Sequence, residues 1–114
     1  MIAVIFEFTP APGKTADYFG LAAALKSEVE HFDGFISIER FESVTQPGKF
    51  VSLSFWRDEG AVRAWRNVQQ HRAAQARGRG DVFADYRLRV ASVLRDYGMA
   101  SREQAPDDSR KAHG

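Results

Sequence analysis

Few residues in this chain carry the chemistry that catalysis needs, and their scarcity narrows the reactions open to it. There is no cysteine, which excludes disulfides, thiolate nucleophiles, iron–sulfur clusters and cysteine-based zinc sites. The three histidines, His31, His71 and His113, are scattered along the sequence, so a metal site has little support. His31 falls at the end of a helical pattern and His113 in a polar tail. His71, like any histidine, can take a proton near neutral pH, because an imidazole titrates at about 6.5; by itself it suits a surface or capping position. Arg72 beside it could steady an anion. Arg63, Arg66, Arg77 and Arg79 lie close by, however, and together they read as a solvated basic face. Arg77-Gly78-Arg79-Gly80 invites a nucleic-acid reading, but no aromatic is interleaved there. Sixteen Lys and Arg against fifteen Asp and Glu leave a formal charge of +1, too balanced to draw nucleic acid or anionic lipid. Arg79-Gly80-Asp81 is a chance tripeptide.

The elements that must position these groups follow from length and pattern. The 114 residues are 44% hydrophobic, 27% charged and 12% aromatic, with nine phenylalanines, which suits one globular domain. Residues 2–9 are β-branched and aromatic and predict a first strand, stopped by Pro10, Pro12 and Gly13. Tyr18, Ala22, Leu25, Val29 and Phe32 recur at helical spacing and predict a helix over 15–33, with Thr15 as cap, His31 in its last turn and Gly34 beyond it. Residues 35–44 and 50–57 predict a hairpin around the turn Gln46-Pro47-Gly48-Lys49. Asp58 and Glu59 open a second helical region whose apolar stripe is Ala61, Val62, Trp65 and Val68. Asn67 with Gln70 resembles a capping box, which predicts a break there and a restart to about Arg77. Residues 82–95 predict a fourth strand, and 98–114 a solvated tail. No stretch approaches the ~20 apolar residues of a membrane span, and Ile2 to Phe6 lack the basic flank of a signal peptide. The expected location is the cytoplasm.

The order βαββαβ predicts a ferredoxin-like antiparallel sheet of α+β class, with both helical regions on one face. The other face is then bare. By strict alternation, Val51, Leu53 and Phe55 fall on one side of strand 3 and Phe50 and Trp56 on the other. Ile36 and Ile38 oppose Phe35 and Phe41 on strand 2. A sheet wet on one side alternates apolar with polar residues; aromatics on both sides predict a second sheet stacked on the first in a homodimer. Phe6, Phe55 and Tyr86 are core or cavity-lining aromatics in this scheme. Glu39, Arg40 and Glu42 are charges that pair across the hairpin or the dimer.

The layout, with FWRDEGAVRAWRNVQQHRAAQARGR (55–79), FADYRLRVASVLRDY (83–97) and GFISIERFES (34–43), resembles the antibiotic biosynthesis monooxygenase family over residues 1–97. Residues 98–114 stand outside the likeness. The resemblance implies a dimeric α+β barrel whose best understood enzymes oxidise phenols or quinols with O2 and use no metal, flavin or haem. It implies that Trp65 is a pocket tryptophan that holds a flat ring, although the residue alone fits the core stripe with Val62 and Val68 better. It implies that His71 accepts the phenolic proton and Arg72 steadies the phenolate, with Phe6, Phe55 and Tyr86 around the substrate. Positions six apart on a regular helix stand ~120° apart, so Trp65 and His71 converge only if the helix breaks near Asn67.

Three positions depart from the family pattern. The haem-degrading branch has an Asn where this chain has Phe6 and a His where it has Gln75, which makes haem breakdown a weak reading. The quinol-oxidising branch has an Asn four residues before its tryptophan, where this chain has Ala61. The expectation is a cofactor-free monooxygenase of a small aromatic. The alternative is a binding protein for an aromatic metabolite with no chemistry, and isomerisation or cyclisation in the same barrel is a third reading.

Overall fold

A computed structural model of the chain describes the backbone of residues 1–75 and 82–114 and the side chains of residues 1–69 and 82–114. Its elements are β1 (Ile2–Pro10), α1 (Thr15–Glu30), β2 (Phe35–Glu42), β3 (Phe50–Trp56), α2 (Glu59–Gln75), β4 (Phe83–Ser92) and α3 (Asp107–His113). The strands pair antiparallel in the order β2-β3-β1-β4. This is the ferredoxin-like α+β arrangement expected from βαββαβ. No helix among the described residues is long and apolar enough to cross a membrane.

Register divides the sheet residues between two faces, because successive strand side chains alternate. The pairs Ile2–Trp56, Val4–Ser54, Phe6–Ser52 and Phe8–Phe50 share one face, and Ala3–Phe55, Ile5–Leu53 and Glu7–Val51 the other. The first set faces the helices. Val29 of α1, Trp56 of β3, and Ala61 and Trp65 of α2 are buried together there, with Ile2, Val4, Leu25, Phe32, Phe35, Val62 and Val68 packed around them. Toward the other end of β1, Phe8 is 1% exposed and its ring centroid lies 4.3 Å from Tyr18, 5.5 Å from Phe83 and 5.7 Å from Phe50.

The hairpin turn forms as its residues require. The Lys49 N–H donates to the Gln46 carbonyl at 3.1 Å, and Gly48 takes φ +89°, the positive φ that a type II turn, with Pro at its second position, needs at its third.

Four local expectations are corrected. Thr15 is the first helical residue, and Lys14 occupies the cap position without a side-chain cap bond; the turn closed by Lys14 N–H on the Ala11 carbonyl at 2.9 Å delivers the chain into the helix. Helix α1 ends at Glu30 rather than at 33, and the His31 imidazole donates from Nδ1 to the Ser27 carbonyl at 2.8 Å, satisfying one of the last free acceptors. The register of β2 shifts between Phe35 and Ser37, so Phe35 and Ile38 share the helix face and Phe41 lies on the open one; strict alternation had separated the first two. Helix α2 runs unbroken through Asn67 to Gln75, since nothing in that stretch removes a backbone hydrogen bond.

The tail is also more ordered than its composition suggests. Arg102 donates to the Gly114 carbonyl at 2.8 Å, the Gly98 carbonyl at 3.2 Å and Ser109 Oγ at 2.8 Å. Arg110 donates to the carbonyls of Ala105 and Glu103. Guanidinium groups bonded to backbone carbonyls, rather than an apolar stripe, hold α3 to the preceding loop; none of α3's own residues is buried.

Candidate functional site

The helix side of the sheet holds the candidate site, and Trp65 lies in the core beside it. Its ring centroid lies 5.2 Å from Phe32 in the loop after α1 and 6.4 Å from Trp56 on β3, and the residue is 7% exposed. The neighbouring indole is pinned, with Trp56 Nε1 donating to Ser54 Oγ at 2.9 Å. Ser52 and Ser54 are themselves buried, two small hydroxyl residues on the central strand between the two aromatic clusters.

Helix α2 begins where it does because Asp58 caps it, accepting the Ala61 N–H on Oδ1 at 2.8 Å. That bond first, and then Arg57, hold the Asp58 carboxyl below its usual range. Arg57 Nε donates to Asp58 Oδ2 at 3.0 Å, and its two terminal nitrogens bond both Asp33 oxygens at 3.0 and 3.1 Å. This fork lowers the Asp33 pKa and raises that of Arg57. It ties the loop after α1 to the first turn of α2.

The register of β4 against β1 (Val4–Val90, Phe6–Leu88, Phe8–Tyr86) brings three apolar β4 residues to the helix side. They are poorly covered: Tyr86 is 62%, Leu88 52% and Val90 42% exposed. Beside this strip a cleft of about 140 Å³ opens between α2 and β4, lined by Glu59, Val62, Arg63, Arg66 and Val90. The four α2 residues stand at i, i+3, i+4 and i+7, which is one face of a helix. The buried Ala61–Trp65 stripe flanks it. A larger hollow of about 440 Å³, lined by Ala100, Arg102, Glu103, Arg110 and Gly114, lies in the C-terminal tail and offers no aromatic wall.

The six residues singled out from sequence are thus distributed unevenly. Phe6 and Tyr86 meet on the helix side with centroids 5.6 Å apart, and Trp65 lies on that side in the core. Phe55 pairs with Ala3 and with Ser37 on the opposite face, so it shares no cavity with the others. His71 and Arg72 are within helix α2, and their side chains lie outside the described residues. The unbroken helix removes the break that was to bring positions 65 and 71 together. Glu59, Val62, Arg63, Arg66 and Val90 had not been read as site residues. The i, i+3, i+4, i+7 spacing on α2 was visible, but the strand it would face was not. Arg40 does not pair across the hairpin: its Nε donates to Tyr18 Oη on α1 at 3.1 Å, while Glu42 accepts the Gly48 N–H at 2.9 Å. Among the described residues, no group of His, Asp and Glu is arranged to hold a metal.

Comparison with known proteins places these features. Residues 1–77 match the antibiotic biosynthesis monooxygenase family. The chain is 45% identical over 93 residues to Jasmonate monooxygenase ABM of Pyricularia oryzae, covering 82% of this chain and 43% of that protein; it therefore spans less than half of that relative's length. Among solved structures, Rv0793 of Mycobacterium tuberculosis superposes with a TM-score of 0.70 at 22% identity, over 85% of this chain and 98% of that one. The haem degrader MhuD of the same organism superposes with a TM-score of 0.66 at 19% identity, over 86% of this chain and 100% of that one. Likeness at such identities establishes the fold and no activity.

Proposed function

Because the chain belongs to the antibiotic biosynthesis monooxygenase family, we propose that it is a cofactor-independent monooxygenase that oxidises a small electron-rich aromatic, a phenol or quinol, with O2. One observation carries the reading: an apolar strip of β4 lies uncovered beside a cleft on α2. A flat ring laid on Tyr86, Leu88 and Val90 would be drawn out of water, where a phenolate is a stronger electron donor. The relative named as a monooxygenase supports the reaction class.

In this reading His71 takes the phenolic proton, and the phenolate reduces O2 directly. A phenol bearing hydrogen para to its hydroxyl becomes a quinone; one oxygen atom enters the ring and the other leaves as water. Arg72 steadies the phenolate charge, Phe6 and Tyr86 border the ring, and Trp65 supports the helix that presents these groups. A second copy of the chain covers the open face, where Phe41 is 44% exposed and Ile5, Leu53 and Phe55 are half-buried.

The test is oxygen uptake by the purified chain across a panel of hydroxylated aromatics, with products identified. Uptake that His71→Ala abolishes supports the reading. Ligand binding without uptake leaves a binding protein in its place, and turnover under anaerobic conditions leaves an isomerase or cyclase.

A further inference from the structure

The lining of the α2–β4 cleft is chemically divided, and the division constrains what it can hold. Its floor is apolar, made by Val62 and Val90, with Leu88 and Tyr86 continuing along the strand. Its α2 wall carries two guanidinium groups, Arg63 and Arg66, one turn apart, and a single carboxylate, Glu59. Among the described residues none of these three charges is engaged in an ion pair or hydrogen bond, in contrast to Arg57, Arg89, Arg102 and Arg110. The balance of the lining is one positive charge.

We propose that this cleft recognises a monoanionic carboxylate on a small apolar molecule, with Arg63 and Arg66 bonding the carboxylate and Val62 and Val90 receiving the carbon skeleton. This rests on the proposed monooxygenase reading in one respect only, namely that the molecule bound is the one oxidised. A guanidinium presents a planar fork that matches a carboxylate in two hydrogen bonds. One carboxylate neutralises the lining, whereas a phosphate dianion would leave it negative beside Glu59. A cavity of about 140 Å³ is close to the roughly 150 Å³ that accommodates one benzene ring, so the skeleton is a single ring or a short chain.

The experiment uses the full chain at pH 7 with phenylacetate, its methyl ester and phenyl phosphate as probes, their dissociation constants read by NMR titration. Phenylacetate should bind about tenfold or more tightly than the ester, the value of a charge-assisted hydrogen bond, and salt should erode that preference. Arg63→Met with Arg66→Met should abolish the preference while leaving the ester's binding and the circular dichroism unchanged. The single changes Arg63→Lys and Arg66→Lys, which keep the charge and lose the fork, should reduce it partially. Equal binding of acid and ester in the unaltered chain, an undiminished preference in the double variant, or phenyl phosphate outcompeting phenylacetate would each overturn the assignment. Arginine-dependent acid binding in a chain that consumes no oxygen with any substrate upholds the assignment and removes only the monooxygenase reading. Oxygen consumption that is indifferent to both arginines does the reverse.

Discussion

Gly34 and Ala61 approach so closely that a Cβ built on Gly34 would lie 2.5 Å from the Cβ of Ala61. Gly34 also holds φ +86°, a conformation that L side chains rarely adopt. The contact brings the start of β2 against the first turn of α2, and Ala61 is 5% exposed. It gives a packing reason for alanine at the position where the family resemblance leads one to expect asparagine. The site is filled by another segment's backbone, with no room for an amide to reach a substrate.

Gly34→Ala should therefore destabilise the fold by about 2–4 kcal/mol, the sum of left-handed strain and overpacking. Urea denaturation followed by tryptophan fluorescence measures it. Gly48→Ala is the control: it has the same sign of φ but open space around the new Cβ, so it should lose only the strain component.

The Asp33–Arg57–Asp58 fork makes stability fall in acid. Both carboxyls have folded-state pKa values below the ordinary 3.8, so the unfolded chain binds protons more readily than the folded one. The contribution is complete above about pH 4 and disappears as pH falls through the lowered folded values. Asp33→Asn should flatten the stability profile below pH 4 and remove a small contribution at pH 7 that shrinks in high salt, because the fork is exposed and screened. Chemical denaturation at a series of pH values, with and without 1 M salt as about the limiting screening condition, reads this out.

Phe8 is the anchor of the second aromatic cluster, enclosed by Tyr18, Phe50 and Phe83. Phe8→Ala should remove about 3–5 kcal/mol, enough to unfold a marginal domain of this size. Phe8→Leu should retain a cooperative transition.

On the open face, Phe55→Asp should leave the secondary structure intact and abolish self-association, because the substitution buries a charge only if two sheets meet. Sedimentation at micromolar concentration decides. A stable monomer before the substitution is made would remove the second copy from the reading.

Deleting residues 98–114 should change stability by less than about 1 kcal/mol. The hydrogen bonds of α3 and Arg102 are made within the tail; Gln104 also accepts the Asp96 N–H at 2.8 Å and Arg102 stacks over Tyr97, but both partners lie beyond the end of β4, where the nearest backbone bond to the sheet is Val93 N–H to the Met1 carbonyl at 3.0 Å. Thermal melts of the two forms compare them directly.

How far the chain could be read without coordinates differs between these features. Period-two and period-3.6 patterns lie within short windows, so β1, β3 and the apolar stripes of α1 and α2 were legible, and the order of elements with its chirality rule led to the sheet. The bulge in β2 was not, because Phe35-Ile36 reads as ordinary strand and only pairing with Trp56 and Phe55 shows the shift. Nor was the tail's order, which arises from guanidinium-to-carbonyl bonds that have no sequence period.

Trp65 and Val90 mark the boundary between the two kinds of knowledge. That Trp65 shares a face with Ala61 and Val68 follows from helix geometry alone, and the ferredoxin-like sheet from the order of the elements. That Val90 lies across from Val62, that Phe55 faces away from Phe6, and that Gly34 fills the space beside Ala61 depended on register and on which elements pack. Those are relations between distant segments. Local chemistry sets which residues can share a face, but only the docking of one element on another decides which faces meet and what is left open between them.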